Sequence, residues 1–104
     1  MPLFAVIALD RPGAEAKRLA ARADHFAYIE TILDRIAIAG PLRTDAGGFA
    51  GSILVYDVAD EAEARALLTG DPYYAAGIWD DPVIHRFTAA AGQWIGGTIW
   101  SQGE

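Results

Sequence analysis

The chain has 104 residues, enough for one domain. A hydrophobic fraction of 53% against 21% charged residues describes a chain that folds, and a net charge of −6 disfavours nucleic acid and anionic membrane surfaces as partners. The absence of cysteine excludes disulfides, thiol catalysis and thiolate metal sites.

Leu3 to Leu9 is an almost unbroken apolar run, too short to span a membrane and right for a buried strand. Asp10-Arg11-Pro12-Gly13 stops it with turn chemistry. From Ala14 to about Ile38 nothing breaks a helix, and Leu19, Ala23, Phe26, Leu33 and Ala37 recur at helical spacing. Gly40-Pro41 is the expected stop. A short extended piece follows from Pro41 to Asp45, and Asp45-Ala46-Gly47-Gly48 reads as a loop or hairpin turn. Phe49 to Val58 is the clearest strand. Asp60 is a helix N-cap with Glu63 three residues on, the helix runs to about Leu68, and Gly70 closes it. Asp71 then caps a short turn, Pro72 fits its first position, and Gly77 ends it. Asp80-Asp81-Pro82 reads as another turn, and Val83 to Thr88 as the fourth strand.

This order, β-α-β-β-α-β, predicts an α+β, ferredoxin-like fold with an antiparallel sheet and two helices on one face. Both faces of the first and third strands are apolar, yet the helices can cover only one. A second copy of the sheet is the simplest cover for the other face, so a homodimer is expected. The first residues lack the basic stretch and cleavage site of a signal peptide, so a cytoplasmic protein is expected. Trp94, Ile95, Ile99 and Trp100 are too apolar to leave in water, which predicts a tail packed in extended form on a neighbouring subunit or over a cleft mouth.

On a helical wheel Arg18, Arg22, His25 and Ile29 form one line at the edge of the apolar stripe. A histidine so placed can show one ring nitrogen to a cleft while a partner holds the other, as general-base work requires. Asp71 is the candidate partner, and Arg22, one turn before His25, could hold an anionic group. The plainer alternatives are a helix-edge histidine bonded to a neighbour and an aspartate that only caps. His85 alternates with Val83 and Phe87 and is expected to be buried and structural. No metal-ligand spacing, nucleophile elbow, phosphate loop or dinucleotide fingerprint is present. Ser52 reads as a strand residue that could line the cleft.

Arg22-x-x-His25, Ala39-Gly40-Pro41-Leu42, Gly51 and Asp71-Pro72-Tyr73-x-x-Ala76-Gly77 together resemble the YciI-like (YCII-related) family, from the first strand to about Phe87. The resemblance implies a dimeric α+β barrel domain over residues 1–90, with 91–104 a C-terminal extension beyond the usual end. It also implies a site that pairs the helix histidine with the aspartate of Asp-Pro-Tyr, here His25 and Asp71. Most members have no assigned reaction, and one resembling enzyme is a dehydrochlorinase of a chlorinated hydroxyquinol. The reading is a cofactor-free enzyme using His25 and Asp71 for proton transfer in an elimination, isomerisation or hydrolysis. Its ligand would be a small cyclic or aromatic acid bound by Arg22, Ser52 and Tyr73. The alternative is a non-catalytic dimer that binds a small ligand or regulates. A haem monooxygenase like those among related barrels fits less well, because no histidine is obviously free to ligate iron.

Overall fold

A computed structural model describes residues 1–100, and residues 101–104, the end of the expected extension, lie outside the described residues. Strand β1 (Leu3–Asp10) leads to helix α1 (Glu15–Thr31) and strand β2 (Ile36–Arg43). Strand β3 (Phe49–Asp57), helix α2 (Glu61–Thr69), the short helix α3 (Pro72–Ala75) and strand β4 (Trp79–Phe87) follow. The sheet order is β2-β3-β1-β4 with every pairing antiparallel, which is the ferredoxin-like topology. No helix among the described residues is long and apolar enough to cross a membrane.

Helix α1 ends at Thr31, well short of the predicted Ile38. Thr31 Oγ1 donates to the Tyr28 carbonyl at 2.6 Å, a local bond that competes with helix continuation, and a single 3₁₀ turn over Leu33–Arg35 finishes the reversal. Ile36, Ala37 and Ile38 then join β2, where Ile36 pairs with Tyr56 and Ile38 with Val55. The β-branched side chains of Ile36 and Ile38 fit a pleated surface better than a helix, so cross-strand pairing overrides helical spacing. Gly40-Pro41 therefore lies inside a strand instead of ending a helix. β2 is an edge strand, where a residue with no N–H is tolerated.

β4 also starts earlier than predicted, at Trp79. Asp80, Asp81 and Pro82 lie within it at a register shift opposite Ile7 and Leu9, and Asp81 has φ of 42°. The expected turn is thus a bulge that bends the strand without ending it. The other local signals hold: Asp60 Oδ1 accepts the Glu63 N–H at 2.9 Å, and Thr44 and Gly48 close the β2–β3 hairpin through paired hydrogen bonds.

The core lies between the sheet and the helices. Phe4, Val6 and Ala8 of β1 and Leu54 and Tyr56 of β3 point into it, meeting Leu67 and Leu68 of α2, Ile32, and Tyr73, Ile78 and Trp79. Ile7, Leu9, Ile53, Val83 and Phe87 point the other way and are exposed in the single chain. His85 shares that open face, opposite Ala5, so it is exposed in the protomer and not buried as predicted. The tail forms a two-stranded hairpin, Ala91–Gly92 with Gly97–Thr98, around a 3₁₀ turn. Trp94 is 84% exposed there, and no described tail residue lines the cavity described below, so within one chain residues 91–100 do not pack over the cleft mouth as predicted.

One close approach fixes the centre of the sheet. A Cβ at Gly51 would lie 2.3 Å from the Ala8 carbonyl oxygen, which is backbone and cannot swing aside. Gly51→Ala is expected to destabilise the fold by about 2 kcal/mol or more through strand displacement. Urea unfolding measures it, and an unchanged midpoint would show that β1 and β3 part there at no cost.

Candidate active site

α3 begins with Asp71-Pro72. Asp71 has an extended backbone, and its Oδ1 accepts the Tyr73 N–H at 2.9 Å, while Pro72 occupies the first helical position. The same Oδ1 lies 2.7 Å from His25 Nδ1. The carboxylate is 0% exposed, whereas the His25 side chain retains 14%. An ionised carboxylate can only accept, so Nδ1 carries the proton, and in the neutral imidazole Nε2 then keeps its lone pair. Nε2 has no hydrogen-bond partner among the described residues, and His25 lines a cavity of about 700 Å³ between α1 and the β2–β3 half of the sheet. The Tyr73 ring stacks on the imidazole with centroids 3.7 Å apart and planes 4° from parallel, and the Trp79 ring meets Tyr73 edge-on. His25 is thus held by a hydrogen bond and by a flat aromatic surface.

Arg18 supplies the floor, and sequence reading did not identify it as a site residue. Its Nε and a terminal nitrogen reach the two Asp10 oxygens at 2.6 and 2.9 Å, and it also donates to Gly51 O at 2.9 Å and Ser52 Oγ at 3.1 Å. Both charged side chains are buried, so the ion pair is tolerated only because these further bonds satisfy the guanidinium. Arg18 also lies over the rings of Phe49 and Tyr73. The available signal was its place on the His25 line of α1. The missing half was Asp10, which belongs to another element.

The expected binding residues divide by what they already hold. Arg22 lines the cavity, is exposed, and has no ion-pair or hydrogen-bond partner among the described residues. Ser52 also lines it, but its oxygen accepts from Arg18. Tyr73 lines it with a hydroxyl whose pKa is raised by burial, and Arg18 and Arg22 oppose that rise. Phe49 and Arg43, absent from the sequence-based site, stand at the mouth, with the guanidinium 4.6 Å from the ring centre. Three arginines and one carboxylate, Glu15, line the cavity; Arg18 is already paired with Asp10, which leaves Arg22 and Arg43 as the cations set against Glu15. Among the described residues no group of three His, Cys, Asp or Glu side chains could hold a metal ion.

The YCII-related domain family matches residues 2–88. The chain belongs to this family. Protein YciI of Escherichia coli is 30% identical over 93 residues, covering 82% of this chain and 95% of that protein. An uncharacterised protein of Haemophilus influenzae is 28% identical over 92 residues, 81% of this chain and 94% of its own. Among solved structures, the chain is similar to 5-chloro-2-hydroxyhydroquinone dehydrochlorinase (TftG) of Burkholderia phenoliruptrix in complex with 2,5-dihydroxybenzoquinone. The TM-score is 0.76 at 28% identity, over 88% of this chain and 97% of that one. A protein of Agrobacterium tumefaciens shares the fold at 16% identity and a TM-score of 0.52, over 86% and 94% of the two chains.

The tyrosines around the pair give a pH signature. Burial raises the Tyr28, Tyr56 and Tyr73 hydroxyls above their ordinary value near 10, most strongly Tyr56, and the Asp71 charge adds to each rise. The folded chain then keeps protons that the unfolded chain gives up, so the part of the stability contributed by these hydroxyls is fully present below about pH 10 and is lost as pH rises above it. Denaturant unfolding between about pH 9 and pH 11 should show this decline, and Tyr56→Phe should flatten it. A profile equally steep in the variant would show that Tyr56 is not protected by the core.

Proposed function

We propose that this YCII-related protein is a small enzyme in which His25, oriented by Asp71, moves a proton on a small cyclic or aromatic acid. The observation that carries the reading is the orientation of one imidazole. Its Nδ1 is committed to a buried carboxylate, and its Nε2, unpartnered among the described residues, belongs to a side chain that lines an arginine-lined, aromatic-walled cavity. A base held this way needs no further ordering before it reacts.

In an elimination, Nε2 takes the substrate proton, the released electron pair forms the new double bond, and the leaving group departs with its bonding electrons. The imidazolium so formed is stabilised by Asp71, which lies 2.7 Å away and need not accept the proton. Isomerisation uses the same base and returns the proton at another atom. Arg22, without an ion-pair partner among the described residues, offers a cation for an acidic group of the substrate, and the Tyr73 and Ser52 side chains line the cavity beside it. The similarity to a dehydrochlorinase bound to a dihydroxybenzoquinone supports a planar, acidic ring as ligand and elimination as the first reaction to test.

Turnover of 5-chloro-2-hydroxyhydroquinone, followed by chloride release, is that test. His25→Ala should lower kcat by about 10²–10⁴-fold. Asp71→Asn should also lower kcat by more than it raises KM, and Arg22→Gln should act mainly on KM. Binding of 2,5-dihydroxybenzoquinone without turnover of any such acid would turn the reading into the alternative, a ligand-binding or regulatory dimer.

The assembly belongs to the same proposal. The open sheet face carries Ile7, Leu9, Ile53, Val83 and Phe87, a contiguous apolar surface that a monomer would leave in water. We infer that two copies pack these faces together as a dimeric α+β barrel, leaving one cavity on the outer side of each sheet. Light scattering should give twice the 11.1 kDa protomer mass, and Ile53→Asp should dissociate or unfold it. A monomer at micromolar concentration would sink this assembly.

A further inference from the structure

Asp71 is completely buried, yet only one of its oxygens is served. Oδ1 takes both the His25 Nδ1–H and the Tyr73 N–H, while Oδ2 is buried with no hydrogen-bond partner among the described residues. The Tyr56 hydroxyl is likewise buried and without a partner. One group is an acceptor with free lone pairs, and the other is a donor. We propose that Tyr56 is a positioning residue for the His25–Asp71 pair, its hydroxyl donating to Asp71 Oδ2 through one buried water.

Tyr56 is placed for this by the sheet. Ser52, Leu54 and Tyr56 share the inward face of β3, and the first two line the cavity that His25 also lines. Tyr56 is fully buried in the cluster that contains Tyr73, the residue whose N–H shares Asp71 Oδ1. Burial is the main reason its hydroxyl stays protonated, and the Asp71 charge adds to it. Tyr28 also feels that charge, but its hydroxyl is already committed to the Leu67 carbonyl at 2.7 Å. Among the described residues the Trp79 indole N–H is the other buried donor without a partner, so Trp79→Phe, run through the cycle below, is the control: its cost should be the same whether residue 71 is Asp or Asn.

Leaving a carboxylate oxygen and a hydroxyl both unpaired in the core is costly, and one water bridging them removes both costs. The bridge also acts on the site. A carboxylate held only through Oδ1 can turn about its last torsion, which is broad. Held at Oδ2 as well, it keeps Oδ1 aimed at both N–H groups. The hydroxyl shares the negative charge, which tempers the pull of Asp71 on the Nδ1 proton. The functional meaning of this contact rests on the proton-transfer reading above, but the contact itself can be tested without turnover.

Tyr56→Phe removes the hydroxyl and keeps the ring. In a cycle with Asp71→Asn, measured by denaturant unfolding at one protomer concentration, it should lower the folding constant by about tenfold or more in the unaltered background. In the Asp71→Asn background the loss should be much smaller. The proton NMR resonance of His25 Nδ1–H should move downfield in Tyr56→Phe, because Asp71 then bonds it more strongly. The unaltered protein should show a slowly exchanging Tyr56 hydroxyl proton, a readout that holds even if Asp71→Asn does not fold. Tyr56→Phe that is neutral or stabilising, or equally costly in both backgrounds, would overturn the contact. An unmoved His25 resonance in Tyr56→Phe would overturn the positioning role. Indifference of that resonance to Asp71→Asn would instead overturn the His25–Asp71 pair.

Discussion

One buried carboxylate oxygen joins the two halves of this protein. Asp71 Oδ1 accepts the Tyr73 N–H at the start of α3 and lies within hydrogen-bond distance of His25 in the middle of α1. The first contact is a local device that any Asp-Pro helix start could use. The second reaches back 46 residues and fixes how α3 sits against α1. Since Asp71 is wholly buried, its charge can be tolerated only where such donors are in place. The helix cap and the candidate base are therefore coupled. The carboxylate cannot serve His25 unless α3 is formed, and α3 positions Tyr73 to stack on the imidazole.

A second buried charge shapes the cavity from the opposite side. Arg18 is neutralised by Asp10 in a two-pronged contact and anchored to the β3 backbone at Gly51. That pairing ties α1 to β1 and β3 near the ends of the two strands. It leaves Arg22, one turn further along α1, as a cation with nothing to neutralise it among the described residues. An arginine already saturated by the protein is a strut, whereas one facing a cavity unpaired is a binding group. The protein contains both, four residues apart on one helix face.

The two sides of the sheet divide the labour. The inward face carries the core and the floor of the cavity, through Ser52, Leu54 and Tyr56. The outward face carries aliphatic and aromatic residues together with His85. A strand with two apolar faces needs two covers, and the two helices of one chain provide one.

Several features were decided by sequence alone, because their physics is local. The unbroken apolar run of β1, the Asp60 and Asp71 caps and the Gly47-Gly48 hairpin depend on residues within a few positions of each other. The line from Arg18 through Arg22 and His25 to Ile29 followed from helical geometry, so the side chains on one wall of the cavity were legible in advance. The end of α1 was not, because Ile36-Ala37-Ile38 suits both a helix and a strand. Pairing with β3, distant in sequence, settled it. The turn at Asp80-Asp81-Pro82 became a bulge for the same kind of reason, since β1 continues alongside and draws the residues into the sheet. The fate of the two arginines was equally tertiary. They are alike in type and share a helix face, and only the approach of Asp10 and the Gly51 carbonyl buries one and leaves the other open. Burial of a charge depends on which partners the fold brings near, and helical spacing carries no record of them.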